Sequence, residues 1–300
     1  MADNSSIAGG FALRQPSYRL IIVQILVIIF LCINMLLIGT FFKTESFHTS
    51  ARYLLFAVML LSDNSFLLIV SDILVVLTAL RVVMEVWLCI IVSIVVFLYN
   101  MVTPITLTVM TLERYVAICM PLRHAELCST RNTVHCILII HGISSVPCIV
   151  ILLVFFASAS ASVYKQNMIC SVEIFILYPW HSHLRSAVSQ FFFLIMCIVI
   201  VFSYYKIMKV AKAASGENEK STLRGLTTVL LHAFQLLLCL IQLWCPFIEA
   251  AALQIDVNLF FIVRYSNYVV FVLASRCLSP LIYGLRDETF FLALKKFYRS

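Results

Sequence analysis

The sequence predicts an all-α membrane protein, a seven-transmembrane helix bundle with a short amphipathic C-terminal helix. Of its 300 residues, 63% are hydrophobic and only 12% are charged, and the mean hydropathy is +1.05. Because soluble domains carry about 25% charged residues, a soluble fold of this size could not bury so much apolar surface. The chain also contains seven apolar runs of roughly 20 residues or more, each long enough to cross a hydrocarbon core of about 30 Å.

The predicted spans follow one another with short polar loops between them. We place them at residues 20–42, 53–80, 87–112, 133–157, 186–208, 226–252 and 260–284. The third and fourth runs are unbroken and rich in Ile, Val and Leu, whereas the seventh contains Arg264 and Arg276. No repeat divides the chain, so a single domain is predicted over 1–300. Its parts are an extracellular N-terminus at 1–18, the helix bundle at 19–285 and a cytoplasmic amphipathic helix and tail at 286–300.

The amphipathic helix is predicted from the pattern of residues 286–299. Phe290, Phe291, Leu294 and Phe297 fall on one helical face, and Lys and Arg residues lie beside it. Such a helix rests on the inner membrane leaflet, where basic side chains meet anionic lipid.

The distribution of positive charge predicts the orientation. Seven spans place the termini on opposite sides, and 14 of the 21 Lys and Arg residues then share the side of the C-terminus, against six on the other side. Positive residues favour the cytoplasmic side, so the N-terminus is predicted outside the cell. The net charge of +7 is therefore a topology signal and not a sign of nucleic-acid binding. An outside N-terminus also makes Asn4 a usable glycosylation site.

Cysteine and histidine residues give no sign of a metal site or cofactor. The 11 Cys lie mostly inside apolar runs and lack a metal-binding spacing. His181 and His183 share a predicted loop. They could bind a metal weakly, but a solvated loop without metal is favoured. We therefore expect no cofactor and no metal.

Short motifs occur in the predicted spans in a recognisable order. They are Asn34, Leu60-Leu61-Ser62-Asp63, Trp87-Leu88-Cys89, Glu113-Arg114-Tyr115 (at the end of the third span), Leu243-Trp244-Cys245-Pro246 and Ser279-Pro280-Leu281-Ile282-Tyr283. With these motifs the chain resembles the rhodopsin-like (class A) G-protein-coupled receptors over nearly its whole length.

Two longer stretches carry a narrower resemblance, to the odorant receptors and especially to those of fish. Residues 112–124 read Leu-Glu-Arg-Tyr-Val-Ala-Ile-Cys-Met-Pro-Leu-Arg-His, and residues 280–287 read Pro-Leu-Ile-Tyr-Gly-Leu-Arg-Asp. The chain departs from the family pattern at Glu113, where Asp is usual, and at Ser279, where Asn is usual. It also lacks a central Trp in the fourth span and the Lys-Ala-Phe-Ser-Thr-Cys signature of the sixth, so it looks like a divergent branch.

The resemblance implies a receptor that binds a small organic odorant and activates a heterotrimeric stimulatory, olfactory-type G protein, raising cyclic AMP. The expected location is the plasma membrane of olfactory sensory neuron cilia, with membrane lipid as a further partner. The ligand cavity is expected in the outer half of the bundle, lined by Val96, Phe97, Asn100, Met101, Trp244, Phe247, Ile248, Ala251, Tyr265 and Tyr268. Coupling and switching are expected at Glu113, Arg114, Tyr115, Tyr204, Pro280 and Tyr283.

Several of these positions carry specific expectations. Cys89 and Cys170 are both expected on the oxidising outer side and to form a disulfide. Asp63 and Arg276 are expected to form an intramembrane ion pair in place of a sodium site, because a charge at that depth is usually paired.

The sixth span carries two further expectations. Pro246 should bend it beside Trp244. Glu249, one turn further on, is expected either to hold a cationic ligand group or to pair with Arg264.

Other function classes fit the sequence less well. A transporter would show inverted repeats, which are absent from the sequence. An intramembrane enzyme would need a Ser/His or paired-Asp constellation at one depth, but Asp63 and Asp72 are nine residues apart on one helix, about 13 Å, and cannot form a catalytic dyad. No enzymatic activity is therefore expected. A rhodopsin-like receptor for a non-olfactory ligand is the remaining alternative.

Overall fold

The computed structural model describes residues 18–62, 69–80, 82–170, 172–214, 233–235, 237–238, 240–280 and 287–299. Nearly all of them are helical. The helices are α1 Tyr18–Lys43, α2 Ala51–Leu61, α3 Ile69–Ala79, α4 Val86–Cys119, α5 Pro121–Leu127, α6 Thr130–Ser158, α7 Pro179–Ala214, α8 Cys245–Ile255, α9 Val257–Asn267, α10 Ala274–Pro280 and α11 Glu288–Arg299. A π-helical segment, Tyr268–Leu273, joins α9 to α10. The strands β1 Val83–Glu85 and β2 Asn167–Ile169 form a small two-stranded antiparallel sheet.

The helices account for the predicted spans. Four described stretches are long and apolar enough to cross a membrane by themselves: Leu20–Lys43, Val86–Cys119, Thr130–Ser158 and Pro179–Val210. A fifth consists of the pair Ala233–Gln242 and Cys245–Ala252, bent by 43°. The helices α2 and α3 lie within the second predicted span, and α9, the π-helical segment and α10 lie within the seventh. The all-α class predicted from the sequence is thereby confirmed, and the described helices fall within all seven predicted spans.

The outer surface of the bundle is apolar. Ile25, Leu138, Leu153 and Ile198 are each more than half exposed although they lie in the middle of long helices. Such side chains are stable against lipid and not against water.

Successive spans run in opposite directions between two ends of the molecule. One end, which we call the disulfide end, contains the start of α4 and the start of α7. The other, the α11 end, contains the end of α1, the start of α2 and the start of α6. At the α11 end the Thr130 hydroxyl donates to the Thr49 carbonyl at 3.2 Å. At the disulfide end the Thr78 hydroxyl of α3 donates to the Cys170 carbonyl at 2.8 Å.

The structure corrects several predicted boundaries. The third span was predicted to end at 112, but α4 continues through Glu113-Arg114-Tyr115 to Cys119. The fifth was predicted to begin at 186, but α7 begins at Pro179 and therefore includes His181 and His183. These stretches were predicted as loops because they are polar. Polar residues indicate where the membrane ends, but a helix can continue beyond that boundary.

The chain between α8 and α9 is a single residue, Asp256. Its side chain accepts a hydrogen bond from the Leu259 backbone N–H at 3.2 Å and so caps the start of α9. Its own backbone N–H donates to the Ala252 carbonyl at 3.0 Å, which closes α8. The last two predicted spans are therefore joined by one tight connection at the disulfide end.

The C-terminal amphipathic helix is confirmed as α11, and it packs on the bundle. Phe290 is fully buried and stacks on Phe47, with ring centroids 5.2 Å apart, and it meets Phe56 edge-on at 5.6 Å. Phe297 lies against Gly39 of α1, where an added Cβ would come within 3.2 Å of the ring. Phe291, predicted on the same apolar face, is 44% exposed.

Candidate functional site

A disulfide closes one end of the bundle. Cys89, in the first turn of α4, is bonded to Cys170, and both are fully buried. Next to it, β1 pairs with β2, with Val83 opposite Ile169. The expected bridge is therefore present, and it fixes the segment between α6 and α7 over the start of α4.

A group of charged residues lies beside this bridge. Arg264 of α9 contacts Glu173 through Nη1 at 3.0 Å and approaches Glu249 of α8 through Nε at 3.9 Å. Asn267 donates to the other Glu249 oxygen at 3.1 Å. Of the two roles expected for Glu249, pairing with Arg264 is the one observed. Arg185 of α7 lies within Coulombic range of both glutamates.

The four candidate ligand positions on α4 lie close to this charged group and to the centre of the bundle. Phe97 meets Phe175 edge-on with ring centroids 5.2 Å apart. Val96 is half-buried in the cluster that contains Cys89, and Met101 is buried in the main core. Asn100 accepts a hydrogen bond at 2.6 Å from the side chain of Gln242. Sequence reasoning missed Gln242, whose only signal was a polar residue inside an apolar run.

The sixth span bends where Pro246 was expected to bend it. The Leu243 and Trp244 amides donate to the carbonyls three residues earlier, at 3.1 and 2.8 Å, and α8 then begins at Cys245 with Pro246 in its first turn. Pro lacks an N–H, and its ring clashes with the carbonyl four residues before it. The bend of 43° follows directly from that chemistry.

The α8 candidates surround this bend. Trp244 lies 5.9 Å from the ring of Phe193 on α7 and 6.0 Å from Phe247. Trp244 and Ile248 are nearly half exposed, and Ala251 is exposed. The aromatic pair Trp244 and Phe193 therefore connects the bend to α7.

Tyr265 and Tyr268 lie in a different cluster from the candidate residues of α4. They pack with Val23 and Val27 of α1 and with Leu273, away from the α4 candidates. Tyr268 lies within Coulombic range of Asp72 and Arg276. The structure therefore does not bring these two tyrosines together with Phe97 and Asn100, and their role as ligand contacts stays a prediction.

Of the two residues expected to form the intramembrane ion pair, the structure describes only Arg276. Arg276 of α10 is 5% exposed, so its guanidinium lies inside the bundle and does not reach the surface. Its expected partner Asp63 lies outside the described residues, as do Tyr283 and Asn4, so the ion pair, the Tyr283 role and glycosylation stay predictions. Asp72, not singled out as a site residue, accepts a 2.7 Å hydrogen bond from Gln24 of α1.

The expected coupling residues lie at the α11 end. Glu113 Oε1 is 3.1 Å from His124 Nε2 of α5. The Tyr115 ring lies 5.9 Å from Phe202 of α7, and Tyr204 packs at the edge of the main core. Arg114 is half-buried beside Glu113, and Pro280 is the last residue of α10. The contact with His124 was not anticipated, because α5 was taken as a loop.

The carboxylate of Asp287 holds α11 against the bundle at this same end. Asp287 Oδ2 pairs with Arg52 Nη2 at 2.6 Å, and Asp287 Oδ1 accepts from the Tyr53 hydroxyl and the Phe290 amide, both at 3.0 Å. One side chain thus caps α11 and ties it to α2.

The sequence predicted a solvated loop at His181, and this prediction is wrong. His181 is 5% exposed in the first turn of α7, and its Nδ1 contacts the Phe175 carbonyl at 3.2 Å. Across the described ranges, no group of three or more His, Cys, Asp or Glu side chains is arranged to hold a metal ion.

Comparison with known proteins identifies the family. Residues 33–283 match the family described as 7 transmembrane receptor (rhodopsin family). The chain is also 41% identical, over 309 aligned residues, to Odorant receptor 131-2 of Danio rerio, an alignment that covers 98% of this chain and 90% of that protein. This is a family of multi-pass membrane receptors and not of enzymes. The bent sixth span, the disulfide at Cys89 and the Glu-Arg-Tyr motif all lie within the matched residues, and the chain belongs to the rhodopsin family of seven-transmembrane, G-protein-coupled receptors.

Proposed function

We propose that this protein is an odorant receptor: it binds a small organic odorant between the outer halves of its helices and activates a heterotrimeric G protein at the α11 end. The observation that carries the proposal is the 41% identity to an odorant receptor along 98% of the chain. The G protein is of the stimulatory, olfactory type, and cyclic AMP rises on activation. The receptor acts in the plasma membrane of olfactory sensory neuron cilia, with its N-terminus outside, its C-terminus inside and α11 on the inner leaflet.

The placement of several candidate ligand residues supports this proposal. Phe97 and Asn100 on α4, Gln242, and Trp244 and Phe247 beside the bend lie between the disulfide end and the main core. Apolar walls with a few polar groups suit a small organic molecule. Val96 occupies the place where amine receptors of this family carry an acid, so an amine is not the expected ligand.

The bend in the sixth span gives a route from ligand to G protein. Gln242 ties the span to Asn100 of α4, and the Trp244 ring contacts Phe193 of α7. A ligand that contacts these side chains differently in two conformations shifts the population between them. Since Pro246 leaves the local backbone without one helical hydrogen bond, the segment toward the α11 end swings more easily than a straight helix would.

The test is cyclic AMP production in cells that express the full chain with a stimulatory olfactory G protein, challenged with small volatile and water-soluble organic compounds. A dose-dependent response that Arg114→Ala abolishes is the expected result. Arg131→Ala is the matched control, because Arg131 is an exposed arginine in the first turn of α6 at the same end. That variant should respond like the natural sequence.

Two results would count against the proposal. Silence towards every odorant, with surface expression confirmed, would favour a rhodopsin-family receptor for a non-olfactory ligand. A response that persists in Arg114→Ala would place G-protein coupling outside the Glu113-Arg114-Tyr115 motif.

A further inference from the structure

The exposed face of α7 carries an open groove in the half of the helix nearer the α11 end. The groove has a volume of about 610 Å³ and is lined by Cys197, Ile198, Val201, Phe202 and Tyr205. The last four of these side chains are each at least half exposed, and in a membrane such a surface meets lipid. From Cys197 to Tyr205 the groove extends for about 12 Å, or about two-fifths of a hydrocarbon core of about 30 Å. Part of an acyl chain therefore fits along it.

The groove is separate from the helix packing of the bundle. Ile200, Ser203 and Ile207 lie on the opposite side of α7 and are each at most 9% exposed. Within the described ranges, the groove is lined by side chains of α7 alone. Its occupant is therefore expected to come from the membrane.

Two lysines lie at the end of the groove that is nearer the α11 end. Lys206 is exposed, and its Nζ lies 5.6 Å from the centroid of the Phe202 ring, so its ammonium group reaches back over the groove. Lys209, three residues further on and also exposed, lies on the same side of the helix. Both lysines are close to the end of the apolar stretch Pro179–Val210, where the lipid head groups begin.

The charges of these lysines are not balanced by a carboxylate of the described residues. The ion pairs in that part of the chain involve neither Lys206 nor Lys209. Cys119 of α4 lies within Coulombic range of Lys206, but a neutral thiol does not neutralise an ammonium group. Basic side chains beside an apolar membrane surface favour a ligand that joins an anionic group to an acyl chain.

We propose that this groove binds one anionic phospholipid of the leaflet at the α11 end. Lys206 and Lys209 bind the charged head group, Tyr205 donates its hydroxyl to a head-group oxygen, and one acyl chain lies along the groove. In the proposed orientation this is the cytoplasmic leaflet, which carries the anionic lipids. The site also adjoins the expected coupling region, since the Phe202 and Tyr115 ring centroids are 5.9 Å apart.

The test identifies the lipid that contacts the groove by means of a tryptophan placed in it. The full-length Val201→Trp receptor is held in phosphatidylcholine nanodiscs, in which about a tenth of the lipid is brominated phosphatidylserine or, for comparison, brominated phosphatidylcholine. Bromine on an acyl chain quenches tryptophan fluorescence on contact, and the signal of the unsubstituted receptor is subtracted. Phosphatidylserine should be preferred about fivefold for each lysine that binds the head group.

Matched variants separate the groove from general attraction of anionic lipid. Leu138→Trp places the same reporter on α6, at a lipid-facing residue that is 65% exposed and two turns from the helix start at the α11 end, and it should show little preference. Adding Lys206→Gln and Lys209→Gln to Val201→Trp should abolish the preference. Adding Lys295→Gln and Lys296→Gln instead removes two exposed positive charges of α11 at the same end and should leave the preference intact.

Three results would overturn the inference. They are equal quenching of Val201→Trp by the two lipids, a preference that survives Lys206→Gln with Lys209→Gln, and an equal preference at Leu138→Trp. Stronger quenching by a brominated sterol than by either phospholipid would also overturn it, because the groove would then be a sterol site.

A second reporter guards against a folding defect. Ile198→Trp, at another groove residue that is 60% exposed, replaces Val201→Trp if that variant does not fold, and the same preference is expected. The assay uses neither an odorant nor a G protein. Its result therefore decides the lipid site independently of the proposed function.

Discussion

The two ends of the bundle are held together by different kinds of contact. At the disulfide end, a covalent bond joins Cys89 to Cys170, and Arg264 bridges carboxylates from two segments. At the α11 end, the contacts are the aromatic packing of Phe290 and side-chain pairs such as Asp287 with Arg52 and Glu113 with His124. A covalent bond survives any change of conformation, whereas paired side chains can exchange partners.

This difference indicates which end is able to move. The disulfide fixes the segment between α6 and α7 to α4, so the rim of the proposed ligand site keeps one shape. The side-chain pairs at the α11 end contribute about 0–3 kcal/mol each, within the range that a ligand can shift. The bend at Pro246 lies between the two ends, which suits a receptor that receives its ligand at a rigid end and changes shape at the other.

The largest expected effect comes from removing the disulfide. Cys89→Ser opens a loop closed by residues 81 apart in the sequence, which costs about 4 kcal/mol by loop entropy. We expect a large fall in melting temperature and in surface expression. Cys128→Ser, at a free cysteine near the α11 end, is the control and should be nearly neutral. A Cys89→Ser receptor that melts like the natural sequence would show that the disulfide end does not depend on its covalent bond.

A smaller effect is expected from removing the buried aromatic anchor of α11. Phe290 is fully buried against Phe47 and Phe56, and truncation of such a side chain costs about 3 kcal/mol or more. Phe290→Ala should lower the melting temperature of the purified receptor and reduce G-protein activation. Phe291→Ala, at the 44% exposed neighbour, should do much less in detergent. Equal effects of the two variants would mean that α11 is held by lipid and not by the bundle.

A third variant tests the link between the two ends. Gln242→Leu removes the hydrogen bond from Gln242 to Asn100, which holds the bent span to α4. A side-chain hydrogen bond contributes about 0.5–1.5 kcal/mol, so basal cyclic AMP should rise about 2- to 10-fold without ligand.

Asn100→Leu, which removes the acceptor, should do the same, and the double variant should add little more, since both remove one bond. Additive effects would show that each residue acts through other contacts. Lower basal signalling in both single variants would mean that the hydrogen bond between Gln242 and Asn100 stabilises the active conformation.

The spans themselves were predictable because each is an apolar run, and the bend was predictable because Pro246 has only one effect inside a helix. The extent of the helices was not. Residues such as His181 and Glu113 are polar, and a hydropathy pattern ends at such residues although the helix continues through them. The contact of Arg264 with Glu173 and the partners of Gln242 and Asp287 were beyond reach, since each pairing joins residues from different segments and depends on how the helices rotate against one another.

The smallest expected effect concerns the contact of Glu113 with His124. The His124 side chain is 37% exposed, and such an exposed pair contributes at most about 1 kcal/mol, or about fivefold in an equilibrium. Without His124, the Glu113 carboxylate is left with Arg114 as its neighbouring cation on α4. In the receptor family an arginine held by this acid belongs to the inactive state, so His124→Ala should lower basal cyclic AMP by up to about fivefold. His135→Ala, at an exposed histidine of α6, is the control. A rise in basal signalling would instead mean that His124 stabilises the inactive arrangement, and that the α11 end is held closed by α5 rather than by the acid next to Arg114.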